Sequence, residues 1–269
     1  MQTTVNEIDI ERRKNSSLLS FRYAFGVLLL SLLAALVLKL FVLDAIYIPS
    51  QSMEKTLLDG DYVLVNKLVY GARLPGTIPF LKTDLSKFHL PAIREIADED
   101  NVVFDLHTLS GPENTTVRFV KRCLARSGDE IEARDGDLFV NGTMVSDKRI
   151  LNGKEFFGSD FVPVIIPHAG DVVDLTNSSR WLWEDIIRKD GHEISIDVSS
   201  TIRIDGTPAT RYKAEKNYLI VVGDNVEHSY DSRDWGFLPQ ENVIGEAMMI
   251  YWSVSPSSVR LGRVGMFPK

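Results

Sequence analysis

Glu130-Ile131-Glu132-Ala133-Arg134-Asp135-Gly136-Asp137-Leu138-Phe139-Val140-Asn141-Gly142-Thr143-Met144-Val145 is the stretch that decides the fold. Short runs of β-forming residues alternate with an Asp-Gly and an Asn-Gly pair, the strongest short-range signal for β-hairpins. A three-strand meander is predicted here, at Glu130 to Arg134, Asp137 to Val140 and Thr143 to Val145. Outward from it the pattern persists. Asp61 to Val65, Asn101 to Leu106 and Val117 to Arg122 precede it as strand-like runs, and Asp171 to Leu175, Glu193 to Val198, Thr201 to Ile204, Tyr218 to Val222 and Ala247 to Ser253 follow. A single soluble helix is predicted at Arg180 to Lys189, with Trp181, Ile186 and Ile187 apolar. Tyr70 to Asp100, carrying Pro75, Pro79 and Pro91, reads as an irregular loop. No internal repeat or low-complexity segment is present. The predicted fold class is therefore mainly β and antiparallel.

The N-terminal part differs. Phe21 to Leu43 is apolar or small apart from Arg22 and Lys39 near its ends, where long side chains snorkel to headgroups. As a helix it would extend about 34 Å, against about 30 Å for a bilayer core. Arg12, Arg13, Lys14 and Arg22 precede or open the span, whereas Asp44, Glu54, Asp59 and Asp61 follow it against Lys55. The positive-inside rule then leaves the N-terminus cytoplasmic and exports the remainder. No Ala-x-Ala site follows the span, so it reads as an uncleaved anchor rather than a removed signal peptide.

The 269 residues are 44% hydrophobic and 25% charged with a net charge of −7, ordinary for a globular body and wrong for a nucleic-acid partner. The single cysteine, Cys123, has no internal disulfide partner and reads as a packing residue. Asn114, Asn141 and Asn177 begin Asn-x-Ser/Thr triplets.

Ser52, in Ile48-Pro49-Ser50-Gln51-Ser52-Met53 just beyond the span, is the candidate nucleophile. A serine hydroxyl needs an adjacent base. The histidines His89, His107, His168, His192 and His228 lie in no Gly-x-Ser-x-Gly setting and show no zinc-ligand spacing, so no metal or other cofactor is expected. Two lysines remain. Lys55 completes a Ser-x-x-Lys pattern on one helical turn, but sits beside Glu54 and the polar Asp59-Gly60-Asp61 turn, and the companion Ser-Asp-Asn and Lys-Thr-Gly motifs are missing. Lys121, in the strand-like Arg118-Phe119-Val120-Lys121-Arg122, has apolar neighbours whose burial would lower its pKa; the alternative is a solvated strand-end charge.

Further runs occur in a fixed order: Pro49-Ser50-Gln51-Ser52-Met53 with Thr56-Leu57, then Gly60-Asp61-Tyr62-Val63, then Gly223-Asp224-Asn225 with Ser229, Asp231-Ser232-Arg233 and Trp235-Gly236-Phe237-Leu238-Pro239. With them the chain resembles the bacterial type I signal peptidases, from about Ile46 to Trp252. That resemblance implies Ser52 as nucleophile and Lys121 as general base. It implies Ser50 with the Ser52 backbone N–H as the oxyanion hole, and Ser229 orienting the amine. It further implies Asp231 and Arg233 as a supporting ion pair, and Ile48, Met53, Leu57, Phe119 and Val120 around small substrate pockets. Three departures touch loops rather than catalytic groups. Lys55 stands where the family has proline, Val226-Glu227-His228 replaces an Arg-Asx-Asn stretch, and Ala125 to Asp129 replaces Gly-x-Pro-Gly-Asp.

The implied organisation is a cytoplasmic tail over 1–20, an anchor over 21–43, and an antiparallel β catalytic core over 44–130 plus 217–262. An inserted β-rich domain over 131–216 and a C-terminal tail over 263–269 complete it. The implied activity is cleavage of signal peptides from exported preproteins after small residues, Ala-x-Ala type, through a Ser/Lys dyad and an acyl-enzyme. The bilayer and the translocation machinery are the expected partners, on the outer face of the bacterial inner membrane. Two rivals are a self-cleaving repressor-type Ser/Lys protease, disfavoured by the span, and an inactive anchored protein that binds exported chains without cutting them.

Overall fold

Asp135 and Asn141 take up the left-handed backbone that Asx-Gly hairpin turns demand, with φ of 55° and 51°. They turn Glu130–Arg134 onto Asp137–Val140 and that strand onto Thr143–Met144. Phe161–Ile165 closes this four-stranded sheet on its other side. Asp205-Gly206, which the sequence reading passes over, makes a third such turn between Ile202–Ile204 and Thr207–Pro208. The computed structural model describes residues 21–72, 77–78, 81–84, 90–107, 116–135, 137–145, 161–176, 179–198 and 200–268. Arg12, Arg13 and Lys14 with the rest of the tail, His89, Asn114, Gly136 and Asn177 lie outside them.

The larger sheet carries the chemistry. Its strands are β1 (Leu43–Tyr47), β2 (Asp61–Asn66), β3 (Asn101–His107), β4 (Thr116–Arg126), β5 (Tyr218–Val222), β6 (Leu238–Pro239) and β7 (Val243–Ser253). They lie in the order β1-β2-β7-β3-β4-β5-β6, every neighbour antiparallel. The fold is mainly antiparallel β, as the alternating runs lead one to expect. β3 pairs with β4 along the whole length of β3, from Asn101↔Arg122 to His107↔Thr116. β5, by contrast, covers only Arg122 to Arg126 of β4. Among the described residues, the second edge of β4 from Thr116 to Lys121 therefore has no partner strand, and neither does the outer edge of β1.

Two apolar clusters hold the site from either side. Ile46, Ile48, Met53, Leu57, Val63, Val65, Val103, Val120, Ala247 and Ile250 pack under the Ser52 turn. Leu124, Ala125, Tyr218, Ile220, Val222 and Phe237 pack against Ile131, Leu138 and the helix α2 (Arg180–Asp190) through Leu182, Trp183, Ile186 and Ile187. Apolar residues at three- and four-residue spacing put one α2 face on the sheet, and Gly191, at φ 100°, ends the helix in the left-handed conformation.

The apolar helix α1 spans Phe21–Val42, long enough for a bilayer and with none of its apolar stretch buried in the protein. Its last five residues, Leu38–Val42, widen into a π turn. Here the span expected to reach Leu43 is corrected: Leu43 opens β1, because from Leu43 onward the backbone pairs with β2, starting at Leu43↔Asn66. No connecting loop separates helix and sheet. The Val42 carbonyl accepts the Lys67 backbone N–H at 2.9 Å, tying the helix end to the chain leaving β2.

Candidate active site

Ser52 lies on a short turn between β1 and β2, held by Glu54 N–H donating to the Gln51 carbonyl at 3.0 Å and Thr56 N–H to Met53 at 2.8 Å. Met53 and Leu57 point into the apolar cluster beneath and fix the turn to the sheet. The Ser52 carbonyl accepts the Asn225 backbone N–H at 3.0 Å. Gly223 shows how closely the downstream run approaches. A Cβ there would fall 2.2 Å from Ser229 Oγ and 2.5 Å from the Ser52 carbonyl oxygen, so only glycine fits.

Lys121 reaches this junction from β4 and is 1% exposed. Its Nζ donates to Ser229 Oγ at 2.9 Å and lies 6.0 Å from the Phe119 ring centroid. Among the described residues no carboxylate forms an ion pair with it. Burial pushes its pKa down from 10.5 to about 8; the nearby Asp231 charge opposes that shift and the Arg233 charge adds to it.

Ser229 is in turn oriented. Its hydroxyl donates to Asp231 Oδ2 at 2.5 Å, which leaves the oxygen facing Lys121 as an acceptor. Asp231 also accepts Gly223 N–H at 2.9 Å and the Arg233 guanidinium at 2.8 and 2.5 Å. Both side chains of the Asp231–Arg233 pair are fully buried. Burial alone would raise the Asp231 carboxyl, but Arg233, Gly223 N–H and the Ser229 hydroxyl outweigh it and hold it below the usual range. Asp231 also caps the one-turn helix α3 (Ser232–Trp235) in a capping box with Asp234.

Ser52 opens onto a groove of about 730 Å³. Ile48, Ser50, Ser52 and Met53 line one wall, and Phe119 and Val120 line the other. The Ser50 and Ser52 hydroxyl oxygens are 3.4 Å apart. Leu57 does not line the groove; it is fully buried behind Met53. Lys55 is exposed. Burial drives the Cys123 thiol far above its ordinary pKa, which leaves an inert packing residue.

Sequence reasoning misses the buried charges around the junction. Arg122 alternates with Lys121 along β4 and forms a fork with Asp224, two bonds of 2.8 Å, with a third to the Glu99 carbonyl at 2.9 Å. Its Nη2 also donates to Thr56 Oγ1 at 3.1 Å, and that hydroxyl donates to Asp224. The available signal is that a strand buried on both faces cannot leave an arginine unpaired.

A sequence profile described as "Signal peptidase, peptidase S26" matches residues 21–252. Signal peptidase I of Aquifex aeolicus is 30% identical over 240 residues, 84% of this chain and 82% of that protein. Signal peptidase I of Pseudomonas fluorescens is 30% identical over 233 residues, 82% of this chain and 69% of that protein. A crystal structure of a signal peptidase I from Enterococcus faecalis aligns with 58% of this chain and 98% of its own at 18% identity. Its TM-score of 0.28 is too low to bear on the fold. With a match across most of its length and relatives of this coverage, the chain belongs to the signal peptidase family, peptidase S26.

Proposed function

We propose that this chain is a membrane-anchored serine endopeptidase that removes signal peptides from exported preproteins after small residues, with Ser52 as nucleophile and Lys121 as general base. The supporting observation is a lysine sealed from water, hydrogen-bonded to a serine hydroxyl that a buried carboxylate orients, next to a groove opening at Ser52. A neutral amine has two N–H bonds and one lone pair. Ser229 takes one N–H, so the lone pair is left for the Ser52 proton. Ser52 Oγ then attacks the scissile carbonyl, and the oxyanion is held by the Ser52 N–H and the Ser50 hydroxyl, donors of the kind that contribute about 3 kcal/mol each. Lys121 passes its proton to the leaving amine as the C–N bond breaks. It next takes a proton from water, whose oxygen attacks the ester carbon, and returns that proton to Ser52 as the acyl–oxygen bond opens.

The two free strand edges bordering the groove suit an extended substrate, which would supply the missing backbone hydrogen bonds. Ile48, Met53, Phe119 and Val120 leave apolar pockets for side chains of alanine size, backed by Leu57. We assign the catalytic core to 44–130 and 217–262. The helix α1 stands across the bacterial inner membrane with the N-terminus cytoplasmic, which brings the groove to the surface where translocated preproteins emerge.

The test is cleavage of a preprotein with an Ala-x-Ala junction by the full chain in liposomes, with the new N-terminus read by mass spectrometry. One cut after the second alanine is expected, slowed by on the order of 100-fold when leucine replaces that alanine. An uncut preprotein, or equal cutting after leucine, sinks the proposal. A pH dependence follows as well. Only the neutral amine accepts the Ser52 proton, so the single-turnover rate constant should rise tenfold per pH unit below about 8 and level off above it.

A further inference from the structure

Asp61 belongs to the Gly60-Asp61-Tyr62-Val63 run, for which neither the sequence nor the proposed chemistry gives a use. Its side chain is fully buried, and its side-chain partners Ser253 and Arg263 come from the far end of the chain. It accepts Arg263 Nη2 at 2.7 Å and Nε at 3.1 and 3.2 Å, Ser253 Oγ at 2.6 Å and Leu58 N–H at 2.8 Å. Burial alone would raise its carboxyl, but these donors, Arg263 first, outweigh it and hold the carboxyl below the usual range. Gly60 shapes the approach: at φ 92° it has no room for a Cβ, which would sit 2.0 Å from the Val254 carbonyl oxygen.

The arginine does more than neutralise Asp61. The same Nη2 donates to the Thr56 carbonyl at 3.0 Å. That carbonyl lies at the end of the Ser52 turn, next to the Leu57 N–H that donates back to the Met53 carbonyl. Thr56 is thereby gripped twice, by Arg263 at its carbonyl and by Arg122 and Asp224 at its hydroxyl. Arg260 fastens the neighbouring stretch, with Nη2 donating to the Asp59 carbonyl at 2.8 Å. Arg263 lies outside residues 21–252, so the family match does not reach it.

We propose that Arg263 is a positioning residue for the reaction: its forked guanidinium, braced on Asp61, sets the height and angle of the Ser52 turn in the groove. The assignment rests on the reading of Ser52 as nucleophile. Arginine suits the task because a planar fork serves two acceptors at once, whereas an ammonium on a flexible stem holds one geometry poorly.

Single-turnover cleavage of the same preprotein, with the full-length protein in excess, separates positioning from mere structural support. A poorly folded fraction raises the half-saturating enzyme concentration but leaves the saturating rate constant unchanged. Misplacement of the nucleophile lowers the rate constant itself. Arg263→Lys, which keeps a cation on Asp61 and forfeits the fork, should unfold at nearly the wild-type temperature yet react about 10-fold more slowly at saturation. Arg263→Met should lose on the order of 100-fold. Saturating rate constants equal to wild type in both variants overturn the assignment. Failure of the wild-type protein to cleave, or cleavage by Ser52→Ala, would instead bring down the Ser52 reading and this assignment with it.

Discussion

Replacing Lys121 with methionine is expected to stop cleavage and, at the same time, to make the fold more stable near neutral pH. Loss of the proposed base should cost on the order of 10⁴-fold or more in rate, as for other nucleophile–base units. Stability moves the other way. The folded-state pKa is about 8 where an unfolded lysine has 10.5, so folding at pH 7 carries a cost. At about 1.4 kcal/mol per pH unit this is about 3 kcal/mol. The sign follows from proton uptake: between about 8 and 10.5 the unfolded chain binds the proton and the folded protein does not. Wild-type stability therefore rises with pH across that window. Methionine, of similar length and apolar, has nothing to desolvate. Urea unfolding of Lys121→Met and wild type at pH 7 and pH 10.5 should show a gap at the lower pH that closes at the higher one. A methionine variant less stable at pH 7 would mean that the ammonium is well solvated or paired in the folded protein.

Asp231→Asn should have the largest destabilising effect of any single change near the site. Arg233 has a fully buried side chain and Asp231 as its neutralising partner. Without that carboxylate a buried guanidinium loses an anionic partner, at about 3–5 kcal/mol. Ser229 loses its anionic acceptor too, so its hydroxyl is free to turn its proton toward Lys121 and compete for the lone pair. Both a fall in rate and a lower unfolding midpoint are expected. The pH at which the rate levels off should also move below about 8, because the Asp231 charge is the strongest influence opposing the desolvation of Lys121. Pairing the change with Arg233→Met removes the stranded charge and should recover most of the stability but little of the activity. If the double variant is as unstable as Asp231→Asn, the stranded-charge account fails and the capping of α3 by Asp231 becomes the better explanation.

How far the chain could be read without coordinates depends on the range of the interaction. Hairpins were legible because Asp135 and Asn141 act on their immediate neighbours, and α2 because its apolar spacing is internal to it. The ordered blocks around Ser52, Lys121, Ser229 and Asp231 pointed to the junction, since each carries its own local pattern. β1 went unread because its apolar run continues that of α1 and only pairing with β2 separates the two. Arg122 and Asp224 lie 102 residues apart, and Asp61 and Arg263 lie 202 apart. No periodicity marks such partners; they follow only from knowing which strands are buried on both faces. The division at 131 is implied by the family resemblance alone; across it, one apolar cluster joins Leu124 and Tyr218 to Ile131 and Trp183.

The helix α1 passes into β1 at Val42–Leu43 without a hinge, and the Lys67 N–H locks the join. Were that helix to stand in lipid as proposed, the strand would be a yardstick of up to about 17 Å, five residues at ~3.3 Å each, between the oily interior and the Ser52 turn. On the proposed reading, a preprotein would then be measured as well as recognised, its cut falling at a set distance from its own greasy segment.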